Sequence, residues 1–198
     1  MLALLVLALT PAAHSQTMTT AETLGRGKSA VFASANALVV KDYTVLTSDY
    51  VQWIHGLNNR VDFYGGLGVT TALGQAQANV SGGANINLVK SRIVSVSSYD
   101  LLTTAVHRRN DSSAALFFTS IVVSRNFTAG KTLITPYSGY SWLIPLGTGG
   151  VDRLFTPPTT FHNVPLGLAI TAGKLTWFVE YNLGRRLRTG GVGIAWGY

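Results

Sequence analysis

Gly190-Gly191-Val192-Gly193-Ile194-Ala195-Trp196-Gly197-Tyr198 is the stretch that decides the fold. Val192, Ile194, Trp196 and Tyr198 share one phase of it; Gly191, Gly193, Ala195 and Gly197 share the other. A period of two is the mark of a β-strand. In a soluble sandwich the bulky side would face a core and the other side would be polar. Here the other side is almost bare. That suits the crowded interior of a narrow barrel, and it assigns the bulky side outward.

The composition of the chain agrees. Charged residues make up 12% of the 198 residues, hydrophobic ones 47%, and the mean hydropathy is +0.28. No apolar run approaches the ~20 residues of a membrane helix. A chain that is apolar overall without an apolar block has spread its apolar residues by alternation, as a membrane barrel does. The 21 glycines suit a crowded curved sheet, and the 8 Tyr, 8 Phe and 4 Trp suit the membrane interfaces. With no Cys, disulfides and thiolate chemistry are excluded.

The same alternation recurs upstream. Over 76–88, Ala76, Ala78, Val80, Ala84, Ile86 and Leu88 alternate with Gln77, Asn79, Ser81, Gly83, Asn85 and Asn87. Over 175–183, Leu175, Trp177, Val179, Tyr181 and Leu183 alternate with Thr176, Phe178, Glu180 and Asn182. A polar inner face against an apolar outer face is the barrel pattern. Further strands are read at about 29–40, 43–55, 61–71, 93–106, 113–126, 132–144 and 162–172. The phase is blurred at 43–55, 93–106 and 113–126, and Pro136 suggests a bulge. Tight turns are read at Gly56–Arg60, Lys90–Arg92, Thr128–Lys131 and Gly173–Lys174, all on one side, with the longest connection, Pro145–Phe161, on the other. The fold class is therefore all-β: a transmembrane antiparallel up-and-down β-barrel of about ten strands, or eight if blurred segments merge.

The closing stretch, with its terminal aromatic preceded by alternating apolar residues, resembles the last strand of small bacterial outer-membrane β-barrel proteins. Gly56-Leu57-Asn58-Asn59-Arg60 is similar to their short periplasmic turns. The resemblance implies that Val192, Ile194, Trp196 and Tyr198 form the signal read by the outer-membrane assembly machinery. It also implies an outer-membrane location after secretion to the periplasm.

Leu2 to Leu9 is a short apolar core, Pro11 breaks it, and Ala13-His14-Ser15 supplies small residues at the cleavage subsites. Residues 1–15 are therefore expected to be a signal peptide, 16–28 a short periplasmic segment, and 29–198 the barrel. No basic residue precedes Arg26, a departure expected if Met1 is internal to a longer reading frame. Gly25-Arg26-Gly27-Lys28-Ser29 has the ending of a phosphate loop, but Glu22 stands where that loop needs Gly, and it precedes a strand instead of opening a helix.

Inside the barrel, Asp62 and Glu180 are expected as inward carboxylates and Asn85 and Asn87 as inward amides, with Arg60, Arg125 and Lys174 as candidate basic partners. The net charge of +7 raises nucleic acid as a partner. The cations sit at turns, however, and do not cluster with stacking aromatics, so no nucleic acid is expected. Arg108, Arg109, Arg185, Arg186 and Arg188 all fall on the proposed outer side, where guanidinium groups meet lipid phosphates of the membrane and its lipopolysaccharide. HExxH, GxSxG and GxGxxG are absent, and no catalytic set, metal site or cofactor is expected.

Three functional readings follow. The first is an integral outer-membrane barrel with a structural, interaction or narrow-pore role. The second is a lipid-modifying enzyme on the same fold, for which His107 with Ser112 or Ser113 would be the rim candidates. The third, a secreted soluble barrel with an apolar interior, conflicts with the polar inner faces read above.

Overall fold

The computed structural model describes residues 19–40, 44–72, 75–106, 113–146, 160–185 and 187–197. Every regular element among them is a strand: β1 (Ser29–Val40), β2 (Thr44–Gly56), β3 (Val61–Ala72), β4 (Gln75–Lys90), β5 (Ser95–Val106), β6 (Ser113–Ser124), β7 (Phe127–Ala129), β8 (Thr132–Pro145), β9 (Phe161–Ala172), β10 (Leu175–Gly184) and β11 (Leu187–Gly197). All the pairings are antiparallel, between chain neighbours except that β6 pairs with β8, and the sheet closes. The closing ladder runs from Ala30 opposite Gly197 to Val40 opposite Leu187. The short β7 continues β6: both pair with β8 in one register, Ser124 opposite Tyr137 and Phe127 opposite Ile134. The wall therefore has ten staves, an antiparallel up-and-down barrel.

The stave is broken at Arg125–Asn126, opposite Pro136, which has no N–H to give to the ladder. The register runs through Pro136 without a shift on either side, so the bulge expected there does not form; the register shift falls in β4, between Asn87 and Val89.

Strand faces follow the period of two. Val51, Leu67, Val80, Val179 and Val192 are exposed on the outer surface. Asn36, Ser48, Asn85, Ser120 and Ser141 are buried within. Trp53, Phe63, Trp177 and Trp196 ring the exterior within a few residues of the tight-turn end, where indole and phenyl rings suit the membrane interface. An apolar exterior around a polar interior is the arrangement of a barrel whose solvent is hydrocarbon.

Two of the blurred strands now have a cause. Asp49 lies between the inward Ser48 and Tyr50, and Asp100 between the buried Tyr99 and Leu101, so both carboxylates point outward. Asp100 accepts hydrogen bonds from Ser98 Oγ (3.0 Å) and Thr119 Oγ1 on the same outer face. A polar residue on the lipid side cancels the hydropathy contrast that a sequence reading depends on. In β6 the run Leu116-Phe117-Phe118 is apolar on both sides because Phe118 is an inward ring in the lumen.

The small inner faces are filled by neighbours. A side chain at Gly68 would collide with the Tyr50 ring, and one at Gly167 with the Tyr137 ring. On β11, Ala195 lies opposite Phe32 and Gly193 opposite Phe178. Those two rings meet edge to face across β11, centroids 5.5 Å apart. The bare face of the last strand is thus the space its neighbours' rings occupy.

Val179→Arg places a cation on the lipid face and should cost about 2–4 kcal/mol of folding stability. Asn85→Ala, on the inner face, should cost less. Denaturant titration in lipid vesicles measures both, and the reverse order would mean that the faces are inverted.

Candidate functional site

The lumen is the one place where polar side chains converge among the described residues, and a strap of the chain occupies half of it. Residues 19–24 run inside the barrel along the wall formed by β3 to β6. Gly25 (φ 90°) and Gly27 (φ 74°) then reverse the chain out of the lumen into β1. Positive φ is what Gly supplies without a Cβ penalty, so the Gly-Arg-Gly sequence serves as a reversal here. The reversal is tied to the β2–β3 turn: Gly27 N donates to Gly56 O (2.8 Å) and Gly56 N to Lys28 O (2.9 Å).

Four strap peptide groups meet an inward-facing side chain of the wall. Leu24 N donates to both oxygens of Asp62 (3.2 and 2.9 Å). Asn85 Nδ2 donates to Glu22 O (3.4 Å) and Asn87 Nδ2 to Ala21 O. Ser124 Oγ accepts from Ala21 N (3.1 Å), and Thr19 Oγ1 lies 3.3 Å from the Tyr64 hydroxyl. Glu22 accepts from Ser95 Oγ and sits 3.6 Å from Lys90 Nζ. An extended strand inside a barrel has no ladder partner, so its amides and carbonyls must be met by side chains. Asn, Ser and Asp supply both polarities for that.

Beside the strap, rings cross the lumen. Tyr64 and Tyr99 meet edge to face at 5.3 Å, and Tyr99 meets Phe118 at 6.0 Å. Tyr137 donates to Glu180 Oε2 (2.9 Å), whose other oxygen accepts from Asn182 Nδ2 (2.6 Å). The strap and this aromatic layer together stand across the path along the barrel axis.

The structure places Asp62, Glu180, Asn85 and Asn87 inward and buried. It brings Asp62, Asn85 and Asn87 together on the strap, and Glu180 apart from them beside Tyr137. The basic partners expected from the sequence are replaced for Asp62 by a backbone amide. Arg60, Arg125 and Lys174 lie exposed at the tight-turn end, with the Arg125 guanidinium 5.0 Å above the Phe127 ring. Val192 and Trp196 are exposed on the exterior and Ile194 is partly so; Tyr198 lies outside the described residues. Arg185 and Arg188 are exposed at the end opposite the tight turns, while Arg108, Arg109 and Arg186 lie outside the described residues. So do His107 and Ser112; Ser113 is the first residue of β6. The strap itself was missed in the sequence, because nothing in Thr19-Thr20-Ala21-Glu22-Thr23-Leu24 marks it as internal.

These features define a class: a closed antiparallel β-barrel with an apolar exterior and an occupied lumen. No family model matches the chain, and no curated protein matches it. Among solved structures it is similar to the β-domain of the Bordetella autotransporter BrkA, at 12% identity and a TM-score of 0.53, over 86% of this chain and 98% of that one. The translocator domain of the autotransporter NalP from Neisseria meningitidis matches at 10% identity and a TM-score of 0.46, over 87% and 88% of the two chains. The KdgM porin matches at 10% identity and a TM-score of 0.40, over 84% and 98%. What the chain shares with the BrkA domain at this identity is the fold.

The Asp62–Leu24 contact is charge-assisted, a kind of bond worth about 1.5–3 kcal/mol. Asp62→Ala should therefore raise release of the strap by about ten- to a hundredfold. A glutamyl-specific protease acting on the folded barrel, with cleavage after Glu22 as the readout, measures this. Equal cleavage of both proteins would mean that Asp62 does not hold the strap.

Proposed function

We propose that this protein is an integral barrel of the bacterial outer membrane, reached through the periplasm, with a structural or interaction role and no catalytic activity. The observation that carries the reading is the lumen. The strap is bonded to four consecutive staves, β3 to β6, and the rings of Tyr64, Tyr99 and Phe118 fill much of the remaining width. A barrel of about ten strands has an interior only a few side chains wide, so these groups are enough to close it to solutes of porin size. The apolar exterior and its aromatic ring support membrane insertion with the tight turns in the periplasm. On that orientation Arg185 and Arg188 face outward, in position for bidentate contact with lipopolysaccharide phosphates. Val192, Ile194 and Trp196 present the outward stripe of the closing strand to the assembly machinery.

Planar-bilayer recording tests the closed lumen. The full barrel should give no steady conductance, at most small and infrequent openings. Deleting 19–24 should produce frequent openings, still narrowed by Tyr64 and Tyr99. Stable porin-sized conductance from the intact protein would overturn the reading in favour of transport.

The assembly stripe has its own test. Trp196→Asp puts a charge on the outer face of the strand that pairs with β1. It should lower the amount of heat-modifiable, folded protein in outer membranes. Unchanged levels would remove Trp196 from the signal.

A further inference from the structure

The strap leaves the other half of the lumen open. Between it and the wall, chiefly β1, β2 and β8 to β11 with Tyr64, Tyr99 and Leu101, lies a cavity of about 200 Å³. Its lining differs from the rest of the interior. The lumen along β3 to β6 presents Asp62, Asn85, Asn87, Ser95 and Ser124. The cavity has apolar walls at Ala30, Phe32, Ile54, Leu133, Ala169 and Phe178, with Ser34, Tyr50, Gln52, Glu22 and Asp62 among its polar groups. Three threonines on its wall have turned their hydroxyls to partners: Thr171 Oγ1 and Thr176 Oγ1 lie 2.9 Å apart, and Thr135 Oγ1 donates to Asn126 Oδ1 (2.7 Å). Most of the surface left for a ligand is methyl groups and ring edges.

We propose that this cavity binds a small uncharged aromatic or compact apolar molecule. Three observations point there. Size is the first: an apolar cavity of roughly 150 Å³ holds benzene, so this one accommodates a bicyclic ring. Shape is the second: Phe32 and Phe178 meet at 88°, offering both a face and an edge, the arrangement aromatic rings pack against. Charge is the third. The carboxylates of Glu22 and Asp62 border the cavity, each already bonded to its own partner, and they disfavour an anion. Water gains little from such a wall, and an apolar guest removes that wall from water. The proposal uses only the lumen geometry and holds whether or not the barrel conducts.

The test is a fluorine-NMR titration of the detergent-folded full barrel with fluoroindole, and with a fluoroindole carboxylate as the anionic counterpart. Partition into detergent alone is linear and gives no saturation. The wild-type barrel should give a saturable shift with fluoroindole and none with the carboxylate. Ala169→Phe fills the cavity from its wall and should weaken binding by at least about tenfold. Heat-modifiable migration checks that this variant is folded. Phe178→Ala, beside Ala169 on the neighbouring stave, enlarges the cavity and should move the preference from fluoroindole towards the larger fluoronaphthalene. Binding by folded Ala169→Phe equal to wild type would overturn the proposal, as would equal binding of the carboxylate. If Ala169→Phe does not fold, the Phe178→Ala series decides: a shift in size preference supports the site, and an unchanged preference overturns it.

Discussion

The constraint behind this structure is the pairing of every backbone N–H and C=O in a medium that offers no water. In hydrocarbon a sheet meets it only by closing on itself. The β1–β11 ladder makes the closure, pairing a strand from the start of the barrel with the last one along eleven residue positions, Ala30–Gly197 to Val40–Leu187. Non-local closure of this kind forms late and slowly. An outward apolar stripe on the closing strand is therefore well placed to be read during insertion. The interruption between β6 and β7, at Arg125–Asn126, lies opposite Pro136, at the tight-turn end.

Closure fixes the width, and the width sets what the interior can hold. Rings and bare positions are matched across neighbouring staves: Tyr50 over Gly68, Tyr137 over Gly167, and Phe32 and Phe178 over the inner face of β11. A narrow barrel with large side chains at every inward position would be overpacked. One with small side chains throughout would be an empty tube. Alternating the two lets rings lie flat along the wall and cross the lumen in a layer.

The strap adds a second use of the same rule. An extended segment in a lumen carries its own unpaired amides and carbonyls, and the inner wall answers four of them with Asp62, Asn85, Asn87 and Ser124. Three of these four residues are neutral. Neutral donors and acceptors hold a strap without the desolvation cost that buried charges carry. The one carboxylate, Asp62, takes a single amide on both oxygens, which is a strong geometry for a backbone donor. The strap thereby occupies the lumen along β3 to β6 and leaves a mainly apolar cavity beside it.

The fold class was legible in the sequence because β-alternation is a local signal: Val192 to Tyr198, Ala76 to Leu88 and Leu175 to Leu183 each show their two faces without reference to any other strand. The inward placement of Asp62, Asn85, Asn87 and Glu180 is also contained in that period of two. Alternation faded where the outer face carries Asp49 and Asp100, since hydropathy marks faces only when one of them is uniformly apolar. The tertiary structure alone decided three things. It decided that glycines facing inward mean filled space and not a pore, because the filling rings belong to neighbouring strands. It decided that Asp62 binds a backbone amide and not Arg60, because its partner is set by where the strap runs. And it decided that 19–24 lies within the barrel, because that segment carries no periodicity of its own and is held by side chains contributed from four staves distant in sequence.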